Sequence, residues 1–279
     1  MQEIITCKNC ENQFTGKFCN QCGEKVYLEK DKHISHLFEE VFHFFTHFDG
    51  SFFTTLKTFL RHPGKLSADY CSGIRKKYFK PIPFFLLLVF LYLLFPKFKG
   101  LNMAGSTYLI KEYGFTWISI PVIQKKIKKY NVTGNEILKR YDEASSKVSK
   151  FSLVLLIPLG AIVLAGLFTN KRRPFFDHFI LSAELVSFYI LIVYLIMPLI
   201  SWLVEKIIPQ YSYVFNEGFG MEWVIGVLFA IFIIVSFKNF YKGKYWLNIV
   251  KTIIFLVVFF VGIFYVYRLI VFLLTMLFL

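Results

Sequence analysis

Residues 61–96 read RHPGKLSADYCSGIRKKYFKPIPFFLLLVFLYLLFP, and within them a basic cluster stands directly before an apolar run. The basic cluster consists of Arg75, Lys76, Lys77 and Lys80. The run from Pro81 to Phe95 carries no charge. Lysine and arginine at one end of a membrane-spanning segment mark its cytoplasmic side, where they contact anionic lipid headgroups. The stretch therefore predicts a multi-pass membrane protein with a cytoplasmic N-terminus and a basic cluster at the membrane surface.

The composition agrees with a membrane protein. The chain has 279 residues, of which 56% are hydrophobic and 20% aromatic. Soluble domains average about 45–50% apolar residues, so the excess apolar surface is expected to lie in lipid. The formal net charge is +14, and many of the basic residues flank apolar segments. Anionic lipid explains this charge better than nucleic acid does, and we expect no nucleic-acid partner.

Four of the five cysteines lie near the N-terminus, in residues 7–23, which read CKNCENQFTGKFCNQCG. The spacing C-x2-C-x8-C-x2-C is typical of two knuckles that hold one metal ion. The expected ligands are Cys7, Cys10, Cys19 and Cys22. A four-thiolate site has no open coordination position, so we predict one structural zinc ion in a small domain at residues 1–27. Free thiolates also indicate a reducing compartment.

Residues 28–80 are predicted to form amphipathic helices on the cytoplasmic membrane surface, broken at Asp49-Gly50 and at Pro63-Gly64. One helical face carries a polar stripe. The stripe consists of His36, Glu40, His43 and His47. It has two interpretations, a second metal site or a polar face at headgroup depth. We favour the polar face, because histidines on an interfacial helix need no ligand.

Residues 81–279 are predicted to form a transmembrane helical bundle with a long loop at residues 97–150. The candidate spans are residues 81–96, 151–168, 179–204, 222–237 and 250–279. The predicted fold class is therefore mostly α. It is a polytopic α-helical membrane protein of about five spans, with a small N-terminal zinc ribbon of four cysteines and an amphipathic interfacial neck. Residues 136–150 are expected to form a helix that leads into the second span.

A few ionisable residues lie near or within the predicted spans. They are Asp177, His178, Glu184 and Arg268. An ionisable residue at membrane depth is a candidate functional site by default. The alternative is that each residue reaches the interface or makes local hydrogen bonds. Glu184 and Arg268 are expected near opposite ends of their spans, so we predict that they do not pair.

The chain resembles an uncharacterised family of bacterial multi-pass membrane proteins that have an N-terminal zinc ribbon followed by a domain of unknown function. Beyond the cysteines, the matching positions are Pro63, Gly64, Tyr70, Gly73, Arg75, Lys77, Tyr78 and Pro81, with His43, His47 and Asp49 upstream and Asp177 and His178 downstream. Glu184 and Val186 stand where the family is expected to have histidines. The resemblance implies location in the bacterial cytoplasmic membrane and no known activity.

Three functional classes follow from these patterns. The favoured one is a non-enzymatic docking or scaffold protein, in which the zinc ribbon binds a protein partner and the basic neck binds the lipid bilayer. The first alternative is a transporter or channel component that uses Glu184 and Arg268. The second is a membrane-embedded, metal-dependent enzyme that uses the neck histidines, although the chain has no hydrolase, zinc-protease or nucleotide-binding signature. The oligomeric state does not follow from the sequence.

Overall fold

The computed structural model describes residues 4–26, 51–94, 101–208 and 219–279. The chain divides into two compact units. Unit 1 contains Met1–Tyr92 and Gly160–Leu256, and unit 2 contains Leu93–Leu159 and Val257–Leu279. The predicted class, a mostly helical chain with helices long enough to span a membrane and a cysteine cluster near the N-terminus, is confirmed.

Helices make up most of the described chain. The α-helices are α1 (Ser51–Arg61), α2 (Lys65–Ser72), α3 (Pro81–Leu94), α4 (Thr116–Tyr130), α5 (Gly134–Phe151), α6 (Leu156–Leu167), α7 (Phe175–Ile190), α8 (Met197–Ile207), α9 (Phe219–Tyr241), α10 (Tyr245–Gly262) and α11 (Arg268–Phe278). Short 3-10 helices lie at Gly105–Leu109, Lys111–Tyr113, Ser152–Leu155 and Thr169–Lys171, and π-helical segments lie at Leu191–Ile196 and Ile263–Tyr267. The strands β1 (Ile5–Thr6) and β2 (Gln13–Phe14) pair antiparallel, with Ile5 opposite Phe14.

Some of these helices join into stretches long and apolar enough to cross a membrane. Within the described residues they are Gly134–Leu167, Phe175–Ile207, Trp223–Tyr241 and Tyr245–Phe278. Each overlaps one predicted span. The remaining predicted span, residues 81–96, corresponds to α3, which is apolar but has 14 residues. A helix needs about 20 residues to cross the hydrocarbon core, so the predicted count of about five spans depends on α3.

The segment predicted as a long loop, residues 97–150, is helical over much of its length. It contains α4 and most of α5. The hydroxyl of Thr133 accepts a hydrogen bond from the backbone N–H of Glu136 at 3.3 Å, which caps the start of α5. Helix α5 continues through a 3-10 turn into α6, so residues 136–150 lead into the second predicted span, as the sequence indicated.

Helix α2 is short and is bounded by a glycine at each end. Gly64 precedes it with φ 78°, and Gly73 follows it with φ 103°. At the C-terminal end, the N–H of Gly73 donates to the carbonyl of Tyr70 and the N–H of Ile74 donates to that of Asp69. This pattern is a Schellman motif, which needs a residue in the left-handed conformation at the position of Gly73. The two glycines therefore set the length of α2.

The core of unit 1 is built on aromatic side chains. Phe59 of α1 is fully buried, and its ring centroid lies 5.0 Å from that of Phe84 in α3 and 5.4 Å from that of Phe232 in α9. Leu66 and Tyr70 of α2 are also fully buried. Helices α1 and α2 thus pack into unit 1 through their apolar faces, and Phe59 holds α1 against α3.

The core of unit 2 gathers around Tyr108. Its ring centroid lies 4.6 Å from that of Phe272 in α11 and 5.8 Å from that of Tyr141 in α5. The hydroxyl of Tyr267 donates to the carbonyl of Ser149 at 2.7 Å. Because buried tyrosine hydroxyls need a partner, this hydrogen bond helps to fix the C-terminal stretch on α5.

Candidate metal centre and the buried carboxylate of unit 1

The cysteine head, which we define as residues 4–26, is built from two knuckles with the same hydrogen bonds. In the first, the N–H of Cys7 donates to the carbonyl of Asn12 and the N–H of Glu11 donates to that of Cys7. In the second, the N–H of Cys19 donates to the carbonyl of Glu24 and the N–H of Gly23 donates to that of Cys19. The repeated pattern explains why each C-x2-C pair turns both of its sulfurs to one side.

The structure brings the predicted cysteine ligands together. Their Sγ atoms all lie within 4.8 Å of one another. The Sγ atoms of Cys7 and Cys22 are 3.5 Å apart, and those of Cys10 and Cys19 are 3.6 Å apart. A tetrahedron with metal–sulfur bonds of about 2.3 Å has edges of about 3.8 Å. The four side chains therefore fit a metal ion in a closed tetrahedral site.

Backbone groups of the second knuckle favour the thiolate form that a metal ion needs. The backbone N–H of Cys22 contributes most, and together with that of Gln21 it lowers the pKa of the Cys19 thiol to about 6, although burial opposes the shift. The usual thiol pKa is about 8.5, so the backbone of the second knuckle favours the thiolate form of Cys19. The backbone N–H of Asn12 favours the thiolate of Cys10 as well, but burial and the neighbouring thiols outweigh it and raise the pKa of the Cys10 thiol to about 12.

Glu11 occupies a position in the first knuckle that favours glycine. Its φ is 62°, close to the 69° of Gly23 at the matching position of the second knuckle. A left-handed conformation costs a residue other than glycine about 1 kcal/mol or more. We therefore expect Glu11→Gly to tighten metal binding by about fivefold, as measured by competition with a chromophoric chelator.

The reverse substitution at another turn of the head provides the control. Gly16 has φ 105° and open space around its Cβ position, so Gly16→Ala adds backbone strain without a steric clash. We expect it to weaken metal binding. Weaker binding in Glu11→Gly would contradict the strain argument and would indicate that the Glu11 side chain itself supports the knuckle.

The cysteine head is docked on the turn that follows α2. One carboxylate oxygen of Glu24 accepts hydrogen bonds from the backbone N–H groups of Arg75, at 3.1 Å, and Lys76, at 2.8 Å. The ammonium of Lys8 donates to the carbonyl of Ser72 at 2.8 Å. Glu24 is 7% exposed, so these hydrogen bonds are largely shielded from water. The head therefore has a defined position within unit 1.

The residues of the predicted basic cluster at this turn have different environments in the structure. The Arg75 guanidinium lies 4.2 Å from the ring centroid of Tyr70, and its Nε donates to the Tyr70 carbonyl at 3.4 Å. Lys76 and Lys77 are exposed, and Lys80 is half-buried. The lysines thus keep access to the surroundings, whereas Arg75 packs on the end of α2.

Glu184, predicted as an intramembrane polar candidate, caps the start of α2. Its Oε1 accepts from the backbone N–H of Gly64 at 2.7 Å, and its Oε2 accepts from the backbone N–H of Ser67 at 2.9 Å and from the Ser67 hydroxyl. Glu184 is 1% exposed. Because Gly64 stands at the N-cap of α2, the cap has no side chain to accept from the first N–H groups, and a carboxylate of α7 supplies the acceptor.

The turn that holds this cap also touches α9. The side-chain amide of Asn239 donates to the Pro63 carbonyl at 2.8 Å. A Cβ placed on Gly64 would lie 2.5 Å from the carbonyl oxygen of Ser236 and 2.6 Å from its Cα. Ser236 and Asn239 were not predicted from the sequence. The Pro63-Gly64 pair indicates a close approach of another backbone segment, but it does not identify that segment.

Asp177 and His178 have separate partners. Nη1 of Arg173 donates to Asp177 at 3.0 Å, and Nη2 of Arg173 donates to the Phe240 carbonyl at 3.0 Å. Nδ1 of His178 lies 2.6 Å from the Tyr241 hydroxyl. The contacts of Arg173 with Phe240 and of His178 with Tyr241 join the start of α7 to the end of α9. In the part of the chain that the structure describes, the cysteine head alone gathers three or more metal-ligating side chains.

Arg268 lies in unit 2, at the start of α11. Its guanidinium is 4.8 Å from the ring centroid of Phe264, and Nη1 is 3.7 Å from the sulfur of Met103. Its carbonyl accepts from the Tyr108 hydroxyl at 2.9 Å. The predicted histidine stripe of His36, Glu40, His43 and His47 lies outside the described residues.

Comparison with known protein families gives a match to part of the chain. Residues 49–93 match a family described as "Protein of unknown function (DUF3667)". No curated protein and no solved structure matches the chain. The matched segment contains the Pro63–Gly64 turn, α2 and most of α3. The chain therefore carries a DUF3667 domain, of unknown function, at residues 49–93.

Proposed function

We propose that the protein is a non-enzymatic, multi-pass protein of the bacterial cytoplasmic membrane whose zinc-bound cysteine head is a docking module for a protein partner. In this proposal the N-terminus is cytoplasmic and the lysines of the basic cluster contact anionic lipid headgroups. The observation that best supports it is the pair of hydrogen bonds from the backbone of Arg75 and Lys76 to Glu24, because they hold the head at a fixed place beside the first apolar helix.

Zinc is the metal that the cysteine site suits best. Four thiolates in a closed tetrahedral arrangement are typical of structural zinc sites, which have no position for water or substrate. The head has little apolar cover of its own: its buried apolar side chains are Cys7, Phe14 and Cys19. Its folding is therefore expected to depend on the metal, since zinc contributes about 10 kcal/mol or more to such small domains.

The exposed apolar side chains of the cysteine head offer a surface for a partner. Phe18 is 59% exposed and Ile4 is 69% exposed. Phe18 is next to the ligand Cys19, and its backbone forms a bridge with Lys25, so its position is fixed when the site is formed. Aromatic anchors on rigid supports dominate the binding energy of many protein interfaces. We therefore place the partner's contact at Phe18.

The cytoplasmic location of the head is supported by basic loops that share one end of unit 1. Arg173, which follows Lys171 and Arg172, donates to the carbonyl of Phe240, close to Lys242. Asn239 in the same region donates to Pro63 of the neck. Loops rich in lysine and arginine are retained on the cytoplasmic side. Thiolate ligands also suit a reducing compartment.

Transport and catalysis have less support. The Glu184 carboxylate accepts hydrogen bonds from Gly64 and Ser67, which is the role of a structural cap. The neck histidines on which the enzyme alternative depends lie outside the described residues. The docking proposal therefore remains the one that the contacts favour.

The proposal is tested by Cys19→Ser in the full chain. We expect bound zinc to fall from about one ion per chain to none, because three thiolates and a hydroxyl hold zinc poorly. The protein should stay in the membrane fraction, since the apolar helices insert independently of the head. A photo-crosslinking residue at position 18 should trap a protein partner in the otherwise unchanged chain and lose it in Cys19→Ser.

Cys71→Ser is the matched control. Cys71 is buried in α2 and does not belong to the metal group, so its substitution should leave zinc content and the crosslink unchanged. Loss of membrane insertion in Cys19→Ser would contradict the modular arrangement. A crosslink that persists in Cys19→Ser, or that is absent from both proteins, would reject the head as a docking module.

A further inference from the structure

Unit 1 contains a cavity of about 490 Å³ on the side where α7 begins and α9 ends. It is open at the surface and has a mixed polar and apolar lining. Its charged and titratable lining residues are His62, Lys65, Asp69, Cys71, Arg173, Asp177 and Lys242. Small-molecule sites usually occupy about 300–1,000 Å³, so the size suits a compact ligand.

The acidic residues of the cavity already have partners. Asp177 accepts from Arg173 at 3.0 Å. Asp69 accepts from the Tyr78 hydroxyl at 2.7 Å. Burial, and then the hydrogen bond to Asp69, raises the pKa of Tyr78, so this hydroxyl remains a donor at neutral pH. Both carboxylates are therefore compensated by groups of the protein.

The lysines of the cavity, Lys65 and Lys242, are exposed. The cavity's carboxylates have partners within the protein, whereas neither lysine is compensated by an opposite charge, since neither forms a salt bridge within the described ranges. They come from different elements, the start of α2 and the residue after α9, and the cavity brings them to one opening. The uncompensated charge at this opening is positive, which favours an anionic ligand.

Arg173 gives the cavity a cation with a fixed orientation. Its guanidinium donates to Asp177 and to the Phe240 carbonyl, and lies 4.4 Å from the ring centroid of Phe240. These contacts use two of the five N–H groups that a guanidinium carries. A planar guanidinium held in place is well suited to bind phosphate, because little conformational entropy is lost on binding.

We propose that this cavity binds a phosphate group, carried either by a phospholipid headgroup or by free phosphate. Lys65, Lys242 and Arg173 contact its oxygens. The cavity lies beside the first turn of α7 and the last turn of α9, both of which belong to stretches long enough to span a membrane. Such helix ends lie at headgroup depth, so a lipid phosphate can reach the site from the bilayer.

The test compares two double variants of the full chain purified in detergent. The probes are a fluorescent short-chain phosphatidylglycerol, followed by anisotropy, and inorganic phosphate as its competitor. We expect K65Q/K242Q to bind the lipid at least about tenfold more weakly, because charge-assisted hydrogen bonds to phosphate are lost. K171Q/K244Q removes the same charge from exposed lysines outside the cavity lining and should change binding by less than about twofold.

Inorganic phosphate distinguishes the two sources of the ligand. Displacement of the lipid by millimolar phosphate, with the same dependence on Lys65 and Lys242, assigns the site to free phosphate. Lipid binding that phosphate does not displace assigns it to the headgroup. Equal losses in the two double variants would mean that general surface charge attracts the lipid, and would overturn the proposal. Unchanged binding in K65Q/K242Q would overturn it as well.

Discussion

Gly64→Ala adds only a methyl group, but we expect it to destabilise unit 1 strongly. Gly64 has φ 78°, which costs alanine about 1–2 kcal/mol. The added Cβ would lie 2.5 Å from the Ser236 carbonyl oxygen, and a backbone atom in a packed helix cannot move aside cheaply. Overpacking of this kind costs about 1–3 kcal/mol more. The expected total is about 3 kcal/mol or more, seen as a lower midpoint of thermal unfolding in detergent.

Gly114→Ala distinguishes the cost of the positive φ from the cost of the steric clash. Gly114 has φ 74°, but nothing lies within 4 Å of its Cβ position. This variant should therefore show the conformational cost alone, about 1–2 kcal/mol. Equal and small shifts in the two variants would contradict the close approach of α9 to the Pro63–Gly64 turn. A shift in Gly64→Ala accompanied by aggregation in size-exclusion chromatography would agree with the loss of packing in unit 1.

Glu184→Leu is expected to destabilise the N-terminal end of α2. The substitution leaves the buried N–H groups of Gly64 and Ser67 without their acceptor, whereas the Ser67 hydroxyl can still donate to the Ile180 carbonyl at 3.3 Å. Each buried donor without a partner costs about 1–3 kcal/mol, so the loss should be about 2 kcal/mol or more. The measurement is hydrogen–deuterium exchange, in which residues 64–72 should exchange faster, together with the midpoint of thermal unfolding.

Glu205→Leu is the matched control, because Glu205 is exposed on the same continuous helical stretch, Phe175–Ile207. We expect it to leave exchange at residues 64–72 unchanged. Glu184→Gln should fall between the two, since an amide keeps one acceptor oxygen. If Glu184→Leu behaved like Glu205→Leu, the carboxylate would not be a structural cap. The transport alternative for Glu184 would then become the leading one.

These two predictions concern the segment that matches the family of unknown function. The Pro63–Gly64 turn contacts α7 through Glu184 and α9 through Asn239 and Ser236. Position 64 requires glycine because its φ is positive and because the Ser236 backbone leaves no room for a Cβ. Part of the sequence resemblance therefore has a structural explanation, which does not require Gly64 to take part in any chemistry.

The sequence by itself determined the candidate metal site and the fold class. Each C-x2-C pair is a local turn, so residues three positions apart fix the direction of two sulfurs without help from the rest of the chain. The helices long enough to cross a membrane followed from long apolar runs, because the hydrocarbon core requires about 20 apolar residues in sequence. Both features depend on residues that lie close together in the sequence.

The partners of the charged residues were decided only by the tertiary structure. Gly64 and Glu184 are 120 positions apart, and Glu24 is 51 positions from Arg75. No helical or strand period relates such distant residues. The sequence placed Glu184 near or within an apolar span, but it did not identify the donors that its carboxylate binds. Only the packing of α2 against α7 brings these N–H groups to this carboxylate, because long-range hydrogen bonds form where buried apolar faces place the helices.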